Sequence, residues 1–124
     1  MLGVRILRRA EVGGTTFDIQ GGVGHVTQRA YVDYVWTANA DVVVRRPISS
    51  HLVAYAHGMG ELFGVDSQSS RGTQQDGRLE AGIRINGVAG GLELFAGIER
   101  RIDANQIDQQ PRRWTLAGFR IVSR

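Results

Sequence analysis

Residues 78–86 and 92–102 alternate between aliphatic and charged or polar side chains, and only Gly87-Val88-Ala89-Gly90-Gly91 separates the two stretches. In the first, Leu79, Ala81, Ile83 and Ile85 alternate with Arg78, Glu80, Arg84 and Asn86. In the second, Leu92, Leu94, Ala96 and Ile98 alternate with Glu93, Glu99 and Arg101. A period of two turns successive side chains to opposite faces of a strand, so the spacing predicts an antiparallel hairpin with one aliphatic and one ionic face. Few folds accommodate such a hairpin. Either the sheet hides its aliphatic side and wets its charges, or it turns charges of both signs inward and presents aliphatics to its surroundings.

The rest of the chain repeats this pattern. No long 3.6-residue stripe is present, and glycine interrupts nearly every candidate helix. Residues 2–10 read as a strand, with Leu2, Val4 and Ile6 opposite Arg5 and Arg9, and Gly13-Gly14 marks a turn. Residues 15–23 set Phe17, Ile19 and Val23 against Asp18 and Gln20, and residues 29–37 set Ala30, Val32, Tyr34 and Trp36 against Arg29, Tyr31 and Asp33. After a break at Ala38-Asn39 a further strand is expected over 41–48, then a long one over 51–65 and a last one over 113–123. The expected fold class is therefore all-β, an antiparallel up-and-down meander of about eight strands. A chain of 124 residues makes one domain of this kind, with residues 51–124 the best defined part.

Connections in that part alternate in length, short at 49–50 and 87–91, long at 66–77 and 103–112. Short turns at one end and long loops at the other are the pattern of a transmembrane barrel, with periplasmic turns and extracellular loops. No stretch approaches the roughly 20 apolar residues of a membrane helix, but a barrel strand needs only about 9 to 11 alternating residues. The 17 glycines against two prolines fit many turns and crowded strand surfaces. All 15 basic residues are arginine, which fits either multidentate pairing with carboxylates in an ionic network or the codon usage of a GC-rich genome. A net charge of +3 favours anionic partners. The arginines form no stripe and no stacking aromatics accompany them, so nucleic acid is not expected. Absence of cysteine excludes disulfides, a thiol nucleophile and a Cys-ligated zinc site.

From His51 onward, the hairpin of residues 77–101 and the strand Arg113-Trp-Thr-Leu-Ala-Gly-Phe-Arg-Ile-Val122 resemble the closing strands of a bacterial outer-membrane β-barrel. The last residues, Val122-Ser123-Arg124, replace the terminal aromatic usual in such barrels. The resemblance implies a Gram-negative outer-membrane protein, porin-like or structural and without catalysis, either a closed barrel or the terminal segment of a larger one. Leu79, Ala81, Ile83, Ile85, Leu92, Leu94, Ile98, Phe119 and Ile121 would then face lipid. Glu80, Arg84, Glu93, Glu99, Arg101 and Arg120 would form a charge network in the lumen. Trp36, Trp114 and Tyr34 are candidate girdle residues. Implied partners are membrane lipid or lipopolysaccharide, and missing strands or a partner chain if the sheet is incomplete; no cofactor or metal is implied. The first residues, Met1 to Arg9, carry their charges after the apolar positions and do not form a secretory signal, so a mature or truncated chain is expected. The alternative is a soluble β-barrel or sandwich that binds a small apolar ligand inside.

A lipid-modifying barrel enzyme is the weakest reading. Ser49-Ser50-His51 offers a nucleophile and a base, but neighbours along a strand point apart and no acid partner stands at useful spacing. His57 and Glu61 share a face at about 13 Å, too far to hold one metal. His25 stands alone. Gly21-Gly22-Val23-Gly24 lacks the Lys-Ser/Thr and the helix of a phosphate loop and reads as a strand bend. Arg100-Arg101 and Arg112-Arg113 flank one loop and could bind lipopolysaccharide phosphates or pair with Asp103 and Asp108.

Overall fold

In a computed structural model, which describes residues 2–25, 34–65, 74–87, 90–102 and 111–123, the chain is a single seven-stranded antiparallel sheet. The strands are β1 (Leu2–Val12), β2 (Thr15–His25), β3 (Tyr34–Pro47), β4 (Leu52–Val65), β5 (Gln74–Asn86), β6 (Gly90–Ile102) and β7 (Arg112–Ser123). Each pairs with the next in sequence, so the meander reads β1 to β7 in space as in sequence. The sheet is not closed. β1 and β7 are its two edges.

Seven strands replace the expected eight because the break at Ala38-Asn39 does not exist. Both residues continue the ladder on both sides, Ala38 between Val23 and Leu62 and Asn39 between Gly22 and Glu61. The even-numbered positions Trp36, Ala38, Ala40, Val42 and Val44 keep one face apolar through the supposed break. Most of the expected strand before it, residues 29–33, lies outside the described residues, as do residues 66–73 and 103–110 of the two long loops. β5 begins earlier than expected, since Gln74 to Gly77 already pair with β4.

The alternation of connection length extends over the whole sheet. Intervals of two, four and three residues (13–14, 48–51, 87–89) join strands at one end, and intervals of eight, eight and nine (26–33, 66–73, 103–111) join them at the other. The first is a two-residue hairpin in which Gly13 and Gly14 take φ of 56° and 74°, the pair of positive angles that matches strand twist. Pro47 ends β3, and the turn after it is closed by the Ile48 and Ser49 amides donating to the Leu52 carbonyl at 2.8 and 3.1 Å.

A single layer has no second sheet or helix to pack against, and among the described residues no large side chain is fully buried. The two faces differ sharply. Ladder partners assign Val4, Ile19, Val42, Leu79, Ile83, Leu94, Ile98, Phe119 and Ile121 to one face, with Phe119 70% and Ile121 83% exposed. On the opposite face Glu80 is only 5% exposed. The charged side is the concave one. Arg120 of β7 reaches the Tyr55 hydroxyl on β4 at 3.3 Å. On a flat sheet their strands would stand about 14 Å apart.

Candidate functional site

The ionic face is built by parity and register. Within β5, Arg78, Glu80 and Arg84 point the same way, and the ladder sets His57 opposite Glu80, Glu93 opposite Arg84 and Arg120 opposite Glu93. Glu80 is the hub. One carboxylate oxygen accepts from Arg120 Nη2, and the other accepts from Arg78 Nη2 at 2.7 Å and Nε at 3.1 Å. His57 Nδ1 stands 3.9 Å from the same carboxylate, and its Nε2 meets Asp41 at 2.7 Å. Arg120 Nε lies 3.1 Å from Glu93 outside hydrogen-bond alignment, so this contact is an ion pair. Arg84 approaches Glu93 at 3.9 Å while its Nε donates to Asn86 at 2.9 Å.

Four of the six expected network residues, Glu80, Arg84, Glu93 and Arg120, thus come together. Arg101 belongs to a separate pair, its Nε donating to Asp76 at 2.8 Å. Glu99 faces the same side opposite Arg78 in register, but it makes no ion pair among the described residues. Arg78, Tyr55 and Phe95 were not among the expected members. Arg78 has the parity of Glu80 and was legible by it. The aromatics carry a different signal, an aromatic on the polar face opposite a glycine: Tyr55 and Phe95 flank Gly82, and Phe95 also faces Gly118. Their rings lie over these glycines, and Phe95 receives the Arg120 guanidinium 4.4 Å and that of Arg78 5.9 Å from its centroid.

A Cβ at Gly82 would stand 2.2 Å from the Leu94 carbonyl oxygen and 2.9 Å from the Tyr55 ring, so backbone as well as side chain must shift. Gly82→Ala is expected to lower stability by roughly 1–3 kcal/mol, read from the urea midpoint. Gly87→Ala, whose nearest neighbour is a backbone oxygen 3.4 Å away, should cost clearly less.

A second cluster near the short-turn end holds Asp18 between Arg9 and Arg45. Arg9 is largely exposed there, and such a pair contributes little. The space left over the hub, bounded by Val43, Tyr55, His57, Glu80, Glu93 and Arg120, is about 170 Å³. That is below the usual range of small-molecule sites. The Ser-His reading is corrected in one respect: Ser50 and His51 lie in the turn before β4 and not in a strand, so their side chains meet, Ser50 Oγ to His51 Nδ1 at 2.8 Å. No carboxylate orients His51 among the described residues. No group of three His, Asp or Glu side chains converges on a metal position among them either.

Residues expected to face lipid, Leu79, Ala81, Ile83, Ile85, Leu92, Leu94, Ile98, Phe119 and Ile121, all lie on the exposed face. Arg100 and Arg113 join them there, whereas Arg101 and Arg112 point to the ionic side. Comparison with family models, curated proteins and solved structures returns no match.

Proposed function

We propose that this chain is a non-catalytic transmembrane β-sheet of the bacterial outer membrane, a barrel or a segment of one, with its aliphatic face in lipid and its ionic face turned to the interior. The observation that carries this reading is the sorting of charge. Eight carboxylates lie in the seven strands, Glu11, Asp18, Asp41, Glu61, Asp76, Glu80, Glu93 and Glu99, and register assigns every one to the concave face. A soluble sheet of this curvature would bury aliphatics on that side and wet the carboxylates. The soluble ligand-binder needs its aliphatics inside, and here they lie on the convex side.

The shape of the aliphatic face adds support. Along one rung, Arg8, Ile19, Val42, Gly58, Leu79 and Ile98 are successive partners from β1 to β6. Two residues along, the rung runs Ile6, Gly21, Ala40, Gly60, Gly77, Arg100, Arg113. The first rung is polar at β1 and aliphatic at β6; the second reverses this. On these two rungs the apolar stretch shifts along the strands between β1 and β6, the direction of change expected when strands tilt by about 35–45° from the membrane normal. Strands of 11 to 14 residues are long enough to cross with that tilt. In this orientation the three short turns are periplasmic and the three long connections extracellular.

With seven strands in a meander, β1 and β7 run in the same direction. Antiparallel closure then takes an odd number of further strands, from a longer chain or a partner, and unpaired edges in hydrocarbon demand them. Expressed behind an export signal, the chain is expected in the outer-membrane fraction and extractable only with detergent. Recovery as a stable monomer in detergent-free buffer overturns the proposal.

A further inference from the structure

Arg100 and Arg113 are direct ladder partners on β6 and β7, and both stand exposed on the aliphatic face. Like charges facing each other across a rung repel. On the concave side of the same two strands Arg101 is neutralised by Asp76, but the aliphatic face presents no carboxylate from any described strand. An apolar groove of about 550 Å³ runs over β3 to β6, walled by Val42, Leu79 and Ile98 and floored by Gly58 and Gly77, and Arg100 stands at its β6 end. Cationic pair and apolar groove are therefore continuous.

Building on the membrane reading above, we infer that Arg100 and Arg113 bind the phosphate of a membrane lipid whose headgroup is a phosphomonoester, with an acyl chain of that lipid lying in the groove. A phosphomonoester approaches a charge of −2 and presents three acceptor oxygens, so it can neutralise two guanidiniums at once. A zwitterionic phosphodiester headgroup brings its own cation and cannot. Neutralisation removes the repulsion that the bare pair carries, and the apolar groove favours a phosphate borne on a lipid over one free in water.

The test uses the full chain in phosphatidylcholine vesicles containing a minor fraction of fluorescent phosphatidate, with enrichment of the probe around Trp114 read by energy transfer. Phosphatidate is expected to be enriched about tenfold over fluorescent phosphatidylcholine, and Arg100→Gln with Arg113→Gln should reduce this to near unity. Arg8→Gln with Arg46→Gln, at the opposite fringe, should leave it unchanged. Insertion with equal enrichment in wild type and the Arg100/Arg113 variant overturns the lipid site alone. So does abolition by added inorganic phosphate at millimolar concentration, which would indicate a general anion site. So also does a loss of stability in the variant that is the same with and without phosphatidate, which would mean that loop carboxylates occupy the arginines. Failure to enter vesicles of any composition, also when the strands that close the sheet are supplied by a longer chain or a partner, overturns both this inference and the membrane reading.

Discussion

Replacing Glu80 by alanine is expected to lower stability by roughly 2–3 kcal/mol, measured as a shift of the urea midpoint in micelles with Trp36 and Trp114 as reporters. The Glu80 side chain is only 1% exposed and is the shared acceptor of Arg78 and Arg120. Deleting it leaves two guanidiniums facing each other on the concave side. Breaking a buried pair costs about 3–5 kcal/mol, but these guanidiniums keep partial access to water, which reduces the penalty. Arg120 also retains Glu93 and Tyr55, whereas Arg78 retains only the Phe95 ring among the contacts described. Combining Glu80→Ala with Arg120→Ala should therefore cost less than the two single changes added together, since each removes the other's unpaired charge. Arg84→Ala is the internal comparison. Its approach to Glu93 is 3.9 Å, and its loss should cost under about 1 kcal/mol. A Glu80→Ala shift no larger than that of Arg84→Ala would remove Glu80 from the centre of the network.

The hairpin of residues 78–102 is legible because most of its positions keep a period of two, with Phe95 and Arg100 as the exceptions, and its turn is rich in glycine, so faces follow from parity. Partners do not. Which charge meets which depends on register, and register depends on turn geometry that composition leaves open. Glu99 and Arg101 have the right parity for the hub, yet the ladder carries Arg101 to Asp76 and leaves Glu99 beside Trp114. The four arginines around the 103–111 connection look like one basic cluster in sequence, and the strands divide them between two faces. At Ala38-Asn39 the signal was present but overridden: Asn is a poor strand residue, and its ladder on both sides is a tertiary effect. The curvature that buries Glu80 has a trace in the sequence, since Tyr55, Gly82, Phe95 and Gly118 form one rung of alternating large and absent side chains.

Leu94→Arg is expected to cost roughly 2–4 kcal/mol for the protein folded in a bilayer, read from urea titrations in vesicles. In water the same change should be nearly neutral. Leu94 is 49% exposed and sits between Ile83 and Phe119 on the convex face, and an exposed substitution away from caps and buried partners usually stays within about 0.5 kcal/mol. The size of the loss thus reports the medium and not the packing. Arginine scanning sharpens the test, because β6 already carries Arg100 on this face, six residues from Leu94. Costs along positions 92, 94, 96 and 98 should peak in the middle of the band and fall toward Arg100. On β3 the apolar run lies between Arg46 and Trp36, so the peak there belongs near Ala40, the rung partner of Gly60 and, through Gly77, of Arg100 itself. A rung that tolerates arginine at β6 should therefore reject it at β3. Costs that peak on the same rung in both strands would mean that the band is not tilted as a membrane requires, and uniformly small costs would mean that this face meets water.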